Sequence, residues 1–254
     1  MLLRTTLIVL LGLLLGGCVS TGNKDPLKTE EGRRAARDAY IQLGIGYLSK
    51  GSTEQAKVPL KQALALDSSN ADAHAALALV FQSEMEPKLA DEHYRKALAS
   101  RRDARILNNY GSFLFEQKRY QEAYQRFGEA AEDNLYTERS RVYENLGLTA
   151  LKLGQRQQAM EHFDKSLRLD RNQPRVLLEL AQMALEDHQY VPARGYYAQF
   201  LAVARGQQDA RSLLLGARLA KVFQDRDKAA EYGLQLRRLY PGTPEYQQYL
   251  AEQK

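Results

Sequence analysis

The sequence predicts an all-α chain of stacked helical hairpins, and three observations lead there. One residue pattern recurs with a period near 34 residues, the signature of a repeat architecture. No run of alternating β-branched residues marks a strand. Glycine and proline mark helix boundaries. Hydrophobic residues make up 44% of the 254 residues, ample for a core. The pattern has two halves. In helix A a bulky residue is followed three later by a leucine, then a small residue, then another bulky residue three further on. In helix B an alanine is followed four later by an aromatic or leucine, and three later by a small residue.

The copies run in order along the chain. The first is Tyr40, Leu43, Gly44, Tyr47, Ala56, Leu60 and Ala63; the second is His74, Leu77, Ala78, Phe81, Ala90, Tyr94 and Ala97. Then come Leu107, Tyr110, Gly111, Leu114, Ala123, Phe127 and Ala130, followed by Tyr143, Leu146, Gly147, Ala150, Ala159, Phe163 and Ser166. The fifth is Leu177, Leu180, Ala181, Ala184, Ala193, Tyr197 and Phe200. The sixth is looser, with Leu213, Gly216, Ala217, Ala220, Ala229, Gly233 and Leu236. Residues three, four and seven apart share one helical face, so each copy presents a stripe that it cannot bury alone and must stack on its neighbours. The small residues let helix A and helix B approach, and the aromatic fills space toward the next copy.

This pattern resembles the tetratricopeptide repeat, most closely at Tyr143-Glu144-Asn145-Leu146-Gly147. The resemblance implies a right-handed superhelix of six helix-turn-helix repeats with a concave groove, occupying residues 29–254. Its repeats start near residues 37, 71, 104, 140, 174 and 210, and a short helix over 244–254 caps the end through Tyr246, Tyr249 and Leu250. Ser52-Thr53-Glu54-Gln55 has the form of a capping box before helix B of repeat one. Gly51 and Gly154 occupy equivalent turns. Most repeats lack the usual closing proline, although Pro174 and Pro241 lie near its place. Pro59 falls inside a helix and is expected to kink it. Gly216 and Gly233 stand where bulky residues are expected, which puts the packing of repeat six in question.

The N-terminus sets the expected location. Arg4 precedes an apolar run from Leu7 to Leu15, too short for a spanning helix, which needs about 20 residues, and of the length of a signal-peptide core. It ends Leu15-Gly16-Gly17-Cys18, which resembles the bacterial lipobox. Residues 1–17 are then a signal peptide, and Cys18, the only cysteine, becomes the acylated first residue of the mature chain. The alternative is an ordinary signal peptide with an incidental cysteine. With its one thiol acylated the chain forms no disulfide, and several acyl chains on one residue anchor firmly. In lipoprotein sorting generally, Asp after the cysteine favours inner-membrane retention. Val19 stands there, so the resemblance implies an outer-membrane anchor with the protein facing the periplasm. Residues 18–28 carry the lipid and a polar, turn-rich tether. Processing removes Arg4 and no acid, taking the formal charge from +5 to +4. So small a charge at a periplasmic address argues against a nucleic-acid partner.

No catalytic constellation stands out, and the chain is expected to be neither an enzyme nor dependent on a metal or cofactor. His74 falls at a packing position, His93 and His162 at matching helix B positions, and His188 in a turn. None has metal-ligand spacing, and neither a phosphate-binding loop nor a nucleophile motif occurs. An enzyme assembled from dispersed residues is the alternative in a different class.

Binding surfaces follow from the helix A positions that the consensus leaves over. In repeat one these are Asp38, Ile41, Ile45 and Leu48, and the three apolar ones form a stripe. Either Thr29–Ala36 folds over that stripe as a cap, or it is an exposed interface. Repeat three offers Arg105, Asn108, Ser112 and Phe115. Repeat four offers Arg141, Glu144, Leu148 and Leu151, and repeat five Arg175, Leu178, Gln182 and Leu185. A groove mixing arginine and asparagine with leucine suits an extended peptide or an amphipathic helix.

A lipobox, a short tether and six such repeats in this length resemble the type IV pilus biogenesis lipoproteins called pilotins, the PilF/PilW family. The resemblance implies a protein that binds secretin subunits in the periplasm. Its acyl chains, handled by the lipoprotein sorting machinery, would carry them to the outer membrane, where the secretin multimerises and supports pilus biogenesis and twitching motility. On this view Ile41, Ile45, Leu48, Arg105, Asn108, Phe115 and Leu148 are the candidate contacts. The runner-up is a repeat lipoprotein that scaffolds peptidoglycan hydrolases or outer-membrane assembly factors.

Overall fold

A computed structural model describes residues 25–253, in which thirteen α-helices and a 3-10 turn are found and no strand. The signal peptide, Cys18 and the first part of the tether lie outside the described residues. The chain divides into two compact units, Met1–Arg101 and Arg102–Lys254. In the first, α1 (Glu30–Ser49) pairs with α2 (Thr53–Leu66), and α3 (Ala71–Ser83) with α4 (Pro87–Ser100). In the second, the pairs are α5 (Ala104–Glu116) with α6 (Tyr120–Ala131), α7 (Arg139–Lys152) with α8 (Arg156–Leu169), and α9 (Pro174–Glu186) with α10 (Tyr190–Ala204). Then α11 (Ala210–Val222) pairs with α12 (Arg226–Leu239), and α13 (Pro244–Ala251) packs on both. Odd-numbered helices from α1 to α11 are the A helices, and their partners the B helices.

Local chemistry sets the boundaries. The Thr29, Asn70, Asp103, Asp209, Asp225 and Thr243 side chains each accept from a backbone N–H in the first turn of the helix they precede. Pro87, Pro174 and Pro244 open helices, where the missing N–H costs nothing. Every A-to-B turn contains one left-handed residue. Gly51 and Gly154 hold φ of +74°, and Met85, Lys118, His188 and Gln224 hold φ of +58° to +60° at the equivalent places.

The core is a set of tight crossings inside each pair. The Phe163 ring lies so close to Gly147 that a Cβ there would collide with it, and the same holds for Phe127 over Gly111 and Leu60 over Gly44. The helix B residue therefore sits first on its own helix A. Phe163 also joins Val176, Leu180 and Met183 of the following pair, which makes the stacking continuous within the second unit.

Several expectations need correction. Helix A of repeat one begins at Glu30 and not near 37, because Thr29 caps it and Glu30 and Glu31 favour its positive end. Thr29–Ala36 is thus tether and helix, continuous with the stripe, and does not fold back over it. Within the expected tether, Pro26–Lys28 form a 3-10 turn. Ser52 makes no side-chain capping bond, so the capping box does not form, and α2 runs on through a buried Pro59 to Leu66. The two glycines of repeat six leave no void. Tyr197 and Tyr232 fill the space at Gly216, and Tyr249 of α13 fills it at Gly233.

Candidate functional site

The predicted stripe of repeat one divides in three. Ile41, 5% exposed, is buried against Ala63 and Ala73, so it serves the core. Leu48 packs on the cluster of Ala56, Leu60 and Val80. Ile45 alone faces outward. What spacing missed is the neighbouring face. Leu43 is 49% exposed, Ile45 40% and Val58 61%. Tyr40, Leu43, Tyr47, Val58 and Pro59 line a shallow depression of about 300 Å³ on α1 and α2. Tyr40, Leu43 and Tyr47 are consensus packing residues. In an interior repeat such positions meet the preceding pair, and among the described residues no pair precedes α1. The signal was present in their being the first copy.

In the second unit the structure brings several predicted residues together. Asn108 is buried, and its Oδ1 accepts from Asn145 Nδ2 at 3.1 Å. Phe115 meets Tyr120 edge to face, with ring centroids 5.2 Å apart. Phe115 and Leu148 line one cleft of about 300 Å³ with Ser112, Asn145 and Arg175. Arg105 and Arg141 are exposed at the start of their helices. A second cleft, about 630 Å³, is lined by Arg141, Glu144, Asn172, Gln173 and Arg175. Burial pushes the Glu144 carboxyl upward in pKa, against the pull of Arg175 and Arg141. Arg211 and Glu179 form a two-pronged ion pair at 2.6 and 2.7 Å.

Two of the histidines pack on each other. His74 and His93 face each other with Nδ1 atoms 3.0 Å apart, and His74 Nε2 lies 3.1 Å from the Ser68 carbonyl. A carbonyl only accepts, so His74 Nε2 carries its proton and its Nδ1 accepts from His93 Nδ1–H. Burial lowers both pKa values, that of His93 to about 4. Among the described residues no group of three His, Cys, Asp or Glu is placed to hold a metal. No described helix is long and apolar enough to cross a membrane.

Comparison with known proteins agrees with this architecture. A tetratricopeptide repeat family model matches residues 102–172. The type IV pilus assembly protein PilF of Pseudomonas aeruginosa is 65% identical over 253 residues, covering 99% of this chain and all of that protein. A solved structure of Pseudomonas aeruginosa PilF superposes with a TM-score of 0.83 at 68% identity, covering 87% of this chain and 99% of that one. The crystal structure of PilW, a widely conserved type IV pilus biogenesis factor, superposes with a TM-score of 0.73 at 29% identity, covering 84% and 98%.

Proposed function

This chain belongs to the PilF family of type IV pilus assembly proteins, and we propose that within pilus biogenesis it acts as a lipid-anchored pilotin. Acylated at Cys18, it is held at the outer membrane facing the periplasm after passing through the lipoprotein sorting machinery. There it binds the type IV pilus secretin and promotes its localisation and multimerisation. The work is escort by binding, with no bond made or broken in the cargo.

The observation that carries this reading is the apolar face of repeat one, which stays exposed among the described residues. Leu43, Ile45 and Val58 are exposed on two paired helices, and exposed apolar groups of this kind mark interfaces. Each side chain buried against a partner contributes about 1.5–3 kcal/mol, enough for a few of them to dominate an interface. An apolar segment of the secretin laid across Tyr40, Leu43 and Val58 meets that requirement.

The test is capture from a cell envelope, followed by mass spectrometry. The wild-type lipoprotein should retain the secretin, and a Leu43→Asp/Val58→Asp variant of unchanged helical circular dichroism should lose it. Recovery of peptidoglycan hydrolases or barrel-assembly components in its place would overturn the secretin assignment. In parallel, Cys18→Ser should remain folded, incorporate no labelled palmitate and leave the outer-membrane fraction, with secretin multimers reduced. Acylation of that variant would remove the anchor from the proposal.

A further inference from the structure

Three successive turns of the second unit carry arginines without acidic partners. α9, α11 and α13 touch in a row, and each is entered through a short turn, from α8, α10 and α12 respectively. Helices joined by short turns alternate in direction. These three turns therefore lie at one edge of the stack, and the α9–α10 and α11–α12 turns at the other. Arg168 and Arg171 flank the first turn, Arg205 begins the second, and Arg237 and Arg238 precede the third; all five are exposed. Among the described residues none of them enters a hydrogen bond or ion pair.

The arginines outnumber the acids of these turns, and most of those acids are engaged with the chain itself. Asp170 accepts from the Asn172 backbone N–H at 2.8 Å and from Gln173 Nε2 at 2.7 Å, and Asp209 accepts from the Ser212 N–H at 2.8 Å. Glu245, in the first turn of α13, is the acid left over. The opposite edge is matched more closely. Arg156 is shared by Glu186 and Asp187 at 3.0 and 2.9 Å, and Lys228 stands 3.6 Å from Asp225, with exposed Arg226 as the exception. Helix dipoles account for Arg168, Arg237 and Arg238, which stand in last turns, but not for Arg171 in its loop or Arg205 in its left-handed cap.

Leucines mark both ends of the row. Leu169, beside Arg168, is 49% exposed, and Leu239, beside Arg238, is 51% exposed. Packed helix axes lie about 8–10 Å apart, so two steps along the row set these leucines roughly 20 Å from each other. Side chains that far apart do not fill one pocket of a partner protein. Each can dip singly into a flat interface, while the neighbouring guanidiniums stay at the level of anionic headgroups. We propose that this edge of the second unit rests on an anionic phospholipid surface, with Leu169 and Leu239 at the acyl boundary and the five arginines against the phosphates. An acyl anchor by itself does not orient the repeats. This edge does, and it turns the opposite edge toward water. The inference rests on the lipid anchor proposed above and is independent of the secretin.

Cys18 is the only cysteine, so once acylated it leaves the lipoprotein without a thiol, and a single introduced cysteine takes a fluorescent label alone. The full lipoprotein with Asn172→Cys, at the edge, or Asp227→Cys, at the opposite edge, is reconstituted in vesicles of phosphatidylethanolamine and phosphatidylglycerol that contain a nitroxide-bearing lipid. The label at 172 should be quenched and the label at 227 should not. Vesicles of phosphatidylcholine, or added salt, should relieve the quenching. Arg237→Gln/Arg238→Gln should weaken docking on the order of tenfold, with nearly unchanged melting, because each arginine near an anionic surface contributes about fivefold. Leu169→Ser/Leu239→Ser should also reduce the quenching. Equal quenching at 172 and 227, equal quenching in phosphatidylcholine, or undiminished quenching in the arginine variant overturns the proposal. So does a label at 172 that ignores vesicles and responds to soluble periplasmic protein. Labelling of the unsubstituted protein would overturn the anchor and this inference with it, whereas equal quenching in a protein that takes no label at Cys18 overturns the edge alone.

Discussion

The α1–α2 and α11–α12 pairs are built from the same pattern and depart from it in opposite ways. In α11 and α12, glycines take two positions that elsewhere carry bulk, yet Leu213 and Leu236 are fully buried there. Tyrosines from adjoining helices supply the missing volume, with Tyr249 of α13 laid over Gly233. In α1 and α2 the bulk is present, and part of it faces solvent at Leu43 and Val58. A helical hairpin is thus stabilised by what its neighbours bring, and a repeat read alone does not reveal whether it is sealed. The pair with its own cap converts a weak consensus into a closed surface. The pair without one keeps apolar area exposed, each Å² of which represents about 25 cal/mol to a partner able to cover it.

Four measurements sharpen or break this contrast. The largest effect belongs to the interior reference. Phe163 is fully buried between its own glycine and the next pair, so Phe163→Ala should cost about 3–5 kcal/mol in denaturant unfolding. A loss below about 1 kcal/mol would mean that stacking in the second unit is not continuous.

Removing the cap comes next. Tyr249 is partly buried, so Tyr249→Ala should cost less than a full core deletion, about 1–3 kcal/mol. Gly233→Leu in that background should restore part of the loss, because the added side chain occupies the vacated space. In the wild-type background the same change should destabilise, since its Cβ meets Tyr249. Additive effects in this double-mutant cycle would show that Tyr249 does not seal the pair.

Ile45→Asp tests the open pair. An outward side chain should cost within about 0.5 kcal/mol of stability, while capture of the secretin weakens. A large drop in melting temperature would place Ile45 in the core with Ile41 and remove it from the binding face.

The smallest effect is a pH dependence. In the first unit, His74 and His93 are kept neutral by burial, with Lys96 adding to the effect and Asp67 and Glu92 opposing it. Their folded pKa values lie below the unfolded value of about 6.5. The unfolded chain therefore takes up protons first, and the stability they contribute, complete above that value, is lost as pH falls toward about 4 for His93. Burial lowers His162 in the second unit in the same direction. A His93→Gln variant should show a flatter melting-temperature profile between pH 6.5 and 4 than the wild type; a parallel profile would mean that the pair does not titrate with unfolding.

Much of the helical frame was legible from spacing, because the 3.6-residue period and the small-residue crossings are local properties. Spacing had the aromatic filling space toward the next copy, whereas Phe163 lies first on Gly147 and Phe127 on Gly111 of its own pair. The turns were half legible. Gly51 and Gly154 advertise a left-handed residue, whereas Met85, Lys118, His188 and Gln224 adopt the same conformation without doing so. The candidate site was less legible. Offsets of four and three put Ile41, Ile45 and Leu48 on one stripe, but that stripe is wide enough to straddle the boundary between core and solvent. Phe115 and Leu148 were picked out singly by register, and the cleft that unites them with Arg175 was not legible, since it spans residues far apart in sequence.

The sequence by itself determined the helical class and the repeat period. Each is fixed by residues within a turn or two of one another, where backbone geometry leaves few choices. Only the tertiary structure decided that Ile41 is core and Ile45 is surface, that Leu43, a packing residue by its place in the pattern, is half exposed among the described residues, and that Tyr249 fills the space at Gly233. Burial depends on which side chains arrive from other helices, and no spacing within one helix records that.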